Sequence, residues 1–374
     1  PKQAIVMQPD TEGFLYPKVD GEKCISCDLC EKRCPAGREM PEHHARLLGA
    51  QAKDEALRRQ SSSGGVFTLL AREVIRRGGV VFGAAFGENM RVEHVGAFDE
   101  TELSGMRGSK YVQSDATDAI GNAVSLLKRE IPVLFSGTPC QINGLLAALG
   151  NTKSDKLLTV DFVCHGVPSP GVFASYLVEL EKKHGSRVLA YTFRDKRLGW
   201  KNFSAVATFE NGEEHAGTQT TEPYLYGFLQ NLYLRPSCHS CSQLRGERHA
   251  ADITLADLWG AEKICPERDD DTGLSFVMAN TQKGRQALEQ SGMQLNAFSI
   301  RNFEGMTRAN PSLLVPVKPH EKRAAFFKRY QKHGFESERV MKLLRGPNAT
   351  QRVMKRVLHL PIGAMRRIKN RISK

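Results

Sequence analysis

Apolar positions in this chain recur at two different spacings, and the alternation between them predicts its fold. Val66, Leu69, Leu70 and Val74 follow the three-and-four step of a helix with one buried face, and the run Ser61-Ser62-Ser63-Gly64-Gly65 before them supplies capping serines. Gly78-Gly79 stops that helix, and Val80 to Phe86 reads as a strand. The same order then returns. Pro132 to Phe135 is a short apolar strand, Gly137-Thr138-Pro139-Cys140 a turn and Gln141 to Leu149 a helix. Leu157 to Val163, Cys164-His165-Gly166 and Pro170 to His184 give strand, turn and helix once more. Repeats of this kind predict βαβ units and a parallel sheet.

Elsewhere the pattern changes. Glu42 to Gln60 reads as a polar helical stretch, whereas Val188 to Arg194 and Phe203 to Phe209 are β runs with Asn211-Gly212 as a turn signal. Ile253 to Leu258 and Leu274 to Asn280 are further strands, and His320 to His333 and Glu336 to Leu344 are helices. The expected fold class is α/β with mixed α+β character: a central, partly parallel sheet with flanking helices.

Composition adds constraints. With 374 residues, 40% hydrophobic and 25% charged, the chain can bury a sizeable core. No apolar run reaches the ~18 to 20 residues of a membrane helix, and Pro1 to Asp20 lacks a basic stretch leading into an apolar one, so a cytoplasmic protein is expected. Nine cysteines are too few and too uneven for a disulfide scaffold and fit metal or redox use in a reducing compartment. The net charge of +12 is mostly a property of the C-terminus. Nine Lys or Arg and no acid lie between Arg345 and Lys374, leaving +3 for the rest. In that tail Ile362, Met365, Ile368 and Ile372 recur at helical spacing among Arg366, Arg367, Lys369 and Arg371. Such a segment is solvated, packs on its own domain, docks on an acidic redox partner, or lies on an anionic membrane at the inner face.

The sharpest motif is Cys24-x2-Cys27-x2-Cys30-x3-Cys34-Pro35. Three closely spaced thiolates and a fourth followed by proline is the bacterial ferredoxin run, which wraps a 4Fe-4S cubane; zinc sites more often present two separated pairs. Only one such run is present, so Cys34 completes its own cluster. The expectation is a small ferredoxin-like 4Fe-4S module ordered largely by its metal.

Cys140 and Cys164 each follow a predicted parallel strand and precede its helix, which places both at the carboxyl edge of one sheet, where open α/β sheets hold ligands. Cys238-His239-Ser240-Cys241 adds a pair able to fold over that edge. Cys140, Cys164, Cys238 and Cys241 are therefore candidate ligands of a second 4Fe-4S cluster, with Cys265 spare. The alternative is that Cys140 and Cys164 are small buried apolar groups and the other pair binds zinc. For a flavin, whose pyrophosphate favours a glycine-lined helix start, Ser62, Ser63, Gly64 and Gly65 are one candidate cradle, and Arg107, Gly108, Ser109, Lys110 and Tyr111 a second.

Taken in order, these motifs resemble one family: the β subunits of hydrogenases and dehydrogenases that reduce the deazaflavin coenzyme F420, which includes 7-hydroxymethyl chlorophyll a reductase. The resemblance runs from about Cys24 to about Phe327. Besides the motifs above it rests on Cys164-His165-Gly166-Val167-Pro168-Ser169, Phe193-Arg194-Asp195-Lys196, Gly199-Trp200 and the stretch from Asp252 to Gly260. It implies FAD and two 4Fe-4S clusters, places the four dispersed cysteines on matching positions, and favours Gly64, Gly65, Ser109 and Lys110 as flavin contacts. Some relatives carry two ferredoxin runs where this chain has one, which leaves its electron partner open.

The expected function is thus an iron-sulfur flavoprotein oxidoreductase, exchanging electrons between a ferredoxin-like or other redox protein and a small two-electron substrate. Lys110 or Arg107 would face the charge of a reduced flavin, and Lys196 with Trp200 would meet the substrate, unless these last two are an ordinary surface lysine and a half-buried core tryptophan. The expected parts are residues 1–45 for the iron-sulfur module, 46–317 for the flavin and second-cluster domain, and 318–374 for a helical region with the tail. The competing readings are a non-catalytic electron-transfer subunit and a zinc-dependent nucleic-acid-binding protein. The second sits poorly with 7% aromatic residues and the lack of a recognised nucleic-acid motif.

Overall fold

A computed structural model describes residues 2–35, 41, 44–150, 152, 155–243, 248–301 and 303–345. The basic tail lies outside them. The chain opens with strands β1 (Ile5–Pro9) and β2 (Leu15–Val19), paired antiparallel, then a one-turn helix α1 (Leu29–Lys32) inside the cysteine run. Next come β3 (Arg46–Ala52), α2 (Glu55–Gln60), α3 (Val66–Arg76), β4 (Val80–Phe86), β5 (Val92–Ala97), α4 (Glu100–Ser104), α5 (Thr117–Lys128), β6 (Val133–Ser136), α6 (Pro139–Leu149), β7 (Leu157–Phe162) and α7 (Pro170–His184). A small unit of β8 (Val188–Asp195), β9 (Ser204–Phe209), β10 (Glu214–Thr218) and α8 (Pro223–Leu229) follows. The chain returns through β11 (Ile253–Asp257), α9 (Ala261–Ile264), β12 (Ser275–Ala279), α10 (Gln282–Gln290), β13 (Leu295–Ser299) and α11 (Phe303–Ala309), and ends in α12 (Arg323–His333) and α13 (Ser337–Arg345).

Eight strands form one mixed sheet in the order β13-β3-β12-β11-β7-β6-β4-β5. Its centre, β11-β7-β6-β4, is parallel, as the strand–turn–helix repeats require. The turns after β6 and β7 therefore leave the sheet at the same edge. Helix α3 covers one face with Val66, Leu69 and Leu70, while α5 and α6 cover the other around Phe135, Ile142 and Leu145. Helix α6 starts sharply because Thr138 and Gln141 form a reciprocal capping box and Pro139 takes the first helical position. A second, three-stranded sheet, β10-β9-β8, packs its aromatic face with α7 and α8. Phe326 and Val340 of the C-terminal helices, and Phe335 between them, join that same core.

One local expectation fails. Glu42 to Gln60 is not a single helix: Arg46–Ala52 is β3, clamped antiparallel between β12 and β13, and only Glu55–Gln60 is helical. Leucine and alanine here favour a helix weakly, and pairing on both edges overrides that preference. Gly49 sits beneath the Phe298 ring, where no side chain fits. Strands β1, β2, β5, β10 and β13, and helices α1, α4, α5, α8, α9, α10 and α11, lie outside the elements that the sequence pattern predicts.

Among the described residues no helix is long and apolar enough to cross a membrane.

Gly64 locks the turn between α2 and α3 onto the large sheet. Its amide donates to Ser275 Oγ at 2.9 Å and its carbonyl accepts from the Ala52 amide at 2.7 Å. A β-carbon there would stand 2.4 Å from the Ala50 carbonyl oxygen and 2.9 Å from the Ser275 amide, both backbone atoms. Gly64→Ala is expected to cost about 1 to 3 kcal/mol, read as a fall in melting temperature, whereas Gly121→Ala, inside α5 with open space around it and no left-handed backbone, should cost nothing.

Candidate functional site

The turn after β6 carries Cys140 as the second residue of α6, and the segment after β7 carries Cys164. The stretch Pro236–Ser240 is drawn to them by the backbone: Arg235 N donates to Val167 O at 2.9 Å, and Pro168 bridges to Leu234. Cys238 and Cys241 therefore arrive beside Cys164. The four sulfurs are close enough for their charges to act on one another. Burial first, and then Cys238, Cys140 and Cys241, push the Cys164 thiol well above its usual range. Cys238 is pushed up to about 11, chiefly by burial and further by Cys140 and Cys241. The Gly166 amide donates to Cys164 sulfur and the Val167 amide to Cys238 sulfur. Cys140 is exposed and the other three are half-buried, and these four, like the rest of the described residues, do not bring three ligands to the spacing of one bound ion; the donor set itself, four soft thiols from three segments, is the kind that a thiolate-ligated cluster takes. Cys265 is buried elsewhere, in the core with Trp200 and Leu258.

A hydrogen-bonded wall stands behind the Cys140 turn. His94 on β5 stacks on Phe135 at 5.4 Å, its Nε2 meets Ser136 O at 2.9 Å, and its Nδ1 meets Ser114 Oγ at 3.0 Å. Ser114 Oγ also accepts from Gln141 Nε2, which ties the capping box of α6 to the same wall. Burial holds His94 down to about 4, so it is neutral at physiological pH.

The two flavin-cradle segments are neighbours. Ser62 Oγ and Ser109 Oγ share a hydrogen bond of 2.8 Å. Arg194, buried on β8, joins both: it donates to Ser62 O at 3.1 Å and to the Tyr111 hydroxyl at 3.2 Å, and grips Asp257 with two bonds of 2.9 and 3.1 Å. Tyr111 stacks on Phe228 at 4.4 Å, and Phe228 meets the His165 ring next to Cys164 at 5.2 Å. Helix α3 begins at Gly65, whose φ of +83° leaves the first turn without a side-chain cap. Gly108, at φ +80°, has open space where a side chain would be. An uncapped helix start beside an open glycine fits an anionic group.

Other predicted members of the site are committed elsewhere. Gly64 is packed against β3, so close ligand approach is not its role. Ser63 Oγ donates to Leu274 O, and Arg107 pairs with Glu100 and Gln60. Lys110 folds back on its own turn, donating to Gly105 O and Arg107 O, and burial draws it down to about 7. Lys196 spends its donors on three carbonyls, those of Arg58, Ser63 and Thr272, at 2.6 to 3.2 Å. It clamps the loop and has no donor left for a substrate. Trp200 is not a substrate contact either: it is 1% exposed, stacked on Trp259 at 4.8 Å with its Nε1–H on Asp257.

The N-terminal cysteines stand apart. Cys24, Cys27, Cys30 and Cys34 are all exposed, on a loop around α1 that follows the β1–β2 hairpin. Among the described residues no three His, Cys, Asp or Glu sit at the spacing of one bound ion. Ser26 and Asp28 both adopt left-handed conformations, φ 49° and 55°. Such residues cost of order 1 to 3 kcal/mol each, and alternating hands turn successive N–H groups toward a common anion. The loop also touches the body: Arg33 Nη1 donates to Ala147 O at the end of α6.

Residues 132–299, which hold the Cys140, Cys164 and Cys238 segments together with Arg194 and Asp257, match the family described as the C-terminal part of the coenzyme F420 hydrogenase/dehydrogenase beta subunit. The match covers less than half of the 374-residue chain. A chain of the F420-reducing [NiFe] hydrogenase complex from Methanosarcina barkeri has the same fold, with a TM-score of 0.50 and 16% identity, covering 81% of this chain and 92% of that one. No curated protein matches. Within residues 132–299, the residues that sequence reasoning passed over as site members are Arg194 and Asp257. The signal was present as a lone arginine inside an apolar strand and an aspartate closing another.

The wall behind Cys140 gives a pH test. His94 is held below its unfolded value of about 6.5, so the unfolded chain binds the extra proton between pH 6.5 and 4. Stability from this group is complete above pH 6.5 and falls as pH drops through that window. His94→Gln should flatten the slope of unfolding free energy there, by up to about 3 kcal/mol across the window, measured by denaturant titration at each pH.

Proposed function

We propose that the chain is an iron-sulfur flavoprotein oxidoreductase that moves electrons between 4Fe-4S clusters and a two-electron substrate through FAD. The observation that carries this reading is the meeting of Cys140, Cys164, Cys238 and Cys241 from three separate segments at the carboxyl edge of β6 and β7. Cys24, Cys27, Cys30 and Cys34 would hold the first cluster, on a loop in which Ser26 and Asp28 adopt left-handed conformations. When bound, FAD interconverts hydride and single-electron transfer.

The chain's own residues do the positioning. Ser62, Gly65, Gly108, Ser109 and Tyr111 form the cradle, and the Arg194–Asp257 pair fixes its two halves. Lys110, at about 7, holds or releases a proton close to neutral pH beside that cradle. Tyr111, Phe228 and His165 fill the space between cradle and second-cluster cysteines with packed rings, which excludes water from the route. Residues 1–45 serve as the electron entry module, 46–317 as the redox core, and the part from 318 on, helical as far as Arg345, as a support. The description of the matching family as a β subunit, and the likeness to a chain from a hydrogenase complex, support a second reading in which the same centres relay electrons inside a larger assembly.

Anaerobic purification should give a brown protein with about eight iron and eight acid-labile sulfide per chain, as two cubanes require, and one FAD. A colourless, zinc-containing protein would overturn the redox reading and return the nucleic-acid alternative. Lys110 holds the turn that carries Gly108 and Ser109 by donating to Gly105 O and Arg107 O, so Lys110→Met should weaken flavin retention at least tenfold, read from the flavin-to-protein ratio after gel filtration, with the iron count unchanged. Equal retention removes that turn from the cradle.

A further inference from the structure

The β1–β2 hairpin has an apolar face that nothing among the described residues covers. The register pairs Ile5 with Val19, Met7 with Pro17 and Pro9 with Leu15. Directly paired residues point to the same side of a sheet, so these six apolar side chains share one face. Five of them are exposed and Leu15 is half-buried. The hairpin is tied to its protein at Tyr16, beneath the Arg235 guanidinium at 4.0 Å, and at the Leu15 carbonyl, which accepts from Arg235 Nη1; Val6, Gln8 and Lys18, on the face of Tyr16, are exposed as well. A two-stranded hairpin is marginal alone in water, and the face of Ile5, Met7, Pro9, Pro17 and Val19 is the wholly apolar one of the two.

The uncovered face adjoins the first cysteine run. Asp20 N donates to Ala4 O at the open end of the hairpin, and Cys24 N donates to Asp20 O. Whatever seats on Ile5, Met7 and Val19 therefore stands beside Cys24 to Cys34. Ile25 and Leu29, in that run, are also exposed, at 56% and 40%.

Size and charge select the occupant. Five residues on two strands span about 17 Å by about 10 Å, roughly 170 Å², far below the ~800 Å² per partner of a stable interface. A permanent second copy needs more. Brief electron-transfer encounters lie at the small end of the range. Residues 2–35 hold five Lys or Arg against six Asp or Glu, so no strong field steers the approach. We infer that the apolar face of the β1–β2 hairpin is the docking surface for a small one-electron carrier protein with an apolar rim around its redox centre. In each encounter the reduced carrier gives up one electron and the cluster at Cys24–Cys34 takes it.

This inference rests on the first cluster proposed above, so the experiment begins with iron. Met7→Glu and Val19→Glu place a charge on the apolar face; Gln8→Glu places the same charge on the other face of the same strand. Each full-length protein, loaded with clusters, is mixed in a stopped-flow instrument with a reduced two-cluster ferredoxin, and separately with dithionite. The expected result is a tenfold or greater loss of the second-order rate with ferredoxin for Met7→Glu and Val19→Glu. Gln8→Glu should change less than twofold, as should raising salt from about 0.05 to 0.3 M. Iron content and dithionite reduction should match the parent throughout. Unchanged ferredoxin rates with full iron overturn the docking surface alone. A stable dimer in light scattering that Met7→Glu dissolves also overturns it, in favour of a second copy. Iron near four per chain, lost from the N-terminal run, overturns the reading beneath it.

Discussion

Because β7 lies parallel between β6 and β11, the chain leaves the sheet three times at the same edge, and every reactive group gathered there depends on that pairing. The first exit places Cys140 at the start of α6, the second places Cys164, and the third ends in Asp257 and turns through Trp259. Cys238 and Cys241 reach this edge only because the segment before them pairs with the backbone that follows Cys164. A one-residue slip in β6 or β7 would exchange the side chains that the two covered faces receive and scatter the thiols, so the register of short, mostly apolar strands sets the geometry of a polar site.

The Arg194–Asp257 ion pair is the second constraint. Its guanidinium has lost most of its water, and it recovers hydrogen bonds from Asp257, Ser62 and Tyr111 and the faces of Phe203 and Trp259. Removing one partner of such a pair commonly costs about 3 to 5 kcal/mol because the other is left buried and unpaired. That penalty fixes the relative position of the Ser62 and Ser109 turns, which come from distant parts of the chain. The cradle is thus built from the inside: one cation on β8 holds two loops whose own sequences are short and flexible.

Much of this was legible because the repeat of strand, turn and helix is local. Thr138-Pro139 announces a helix start, and a cysteine just inside it must sit at a sheet edge. Cys140 and Cys164 could be placed at one sheet edge from the sequence, since each follows a strand of the parallel centre. What was not legible depends on distant partners. Arg46–Ala52 has helix-favouring residues and becomes a strand only between β12 and β13. Lys196 and Trp200 looked available in a loop, but three carbonyls from separate segments engage the lysine, and Trp259 covers the tryptophan. The hairpin at the N-terminus escaped because its apolar residues face outward, the reverse of the usual burial signal.

The central claim is that Cys140, Cys164, Cys238 and Cys241 hold a cubane, and it is tested most directly by removing the other four cysteines. A full-length chain carrying Cys24→Ser, Cys27→Ser, Cys30→Ser and Cys34→Ser, purified anaerobically and reduced, isolates the second site for iron analysis and electron paramagnetic resonance. The account predicts about four iron and the spectrum of one reduced 4Fe-4S cluster. A protein with a single zinc, or with no metal, would contradict it.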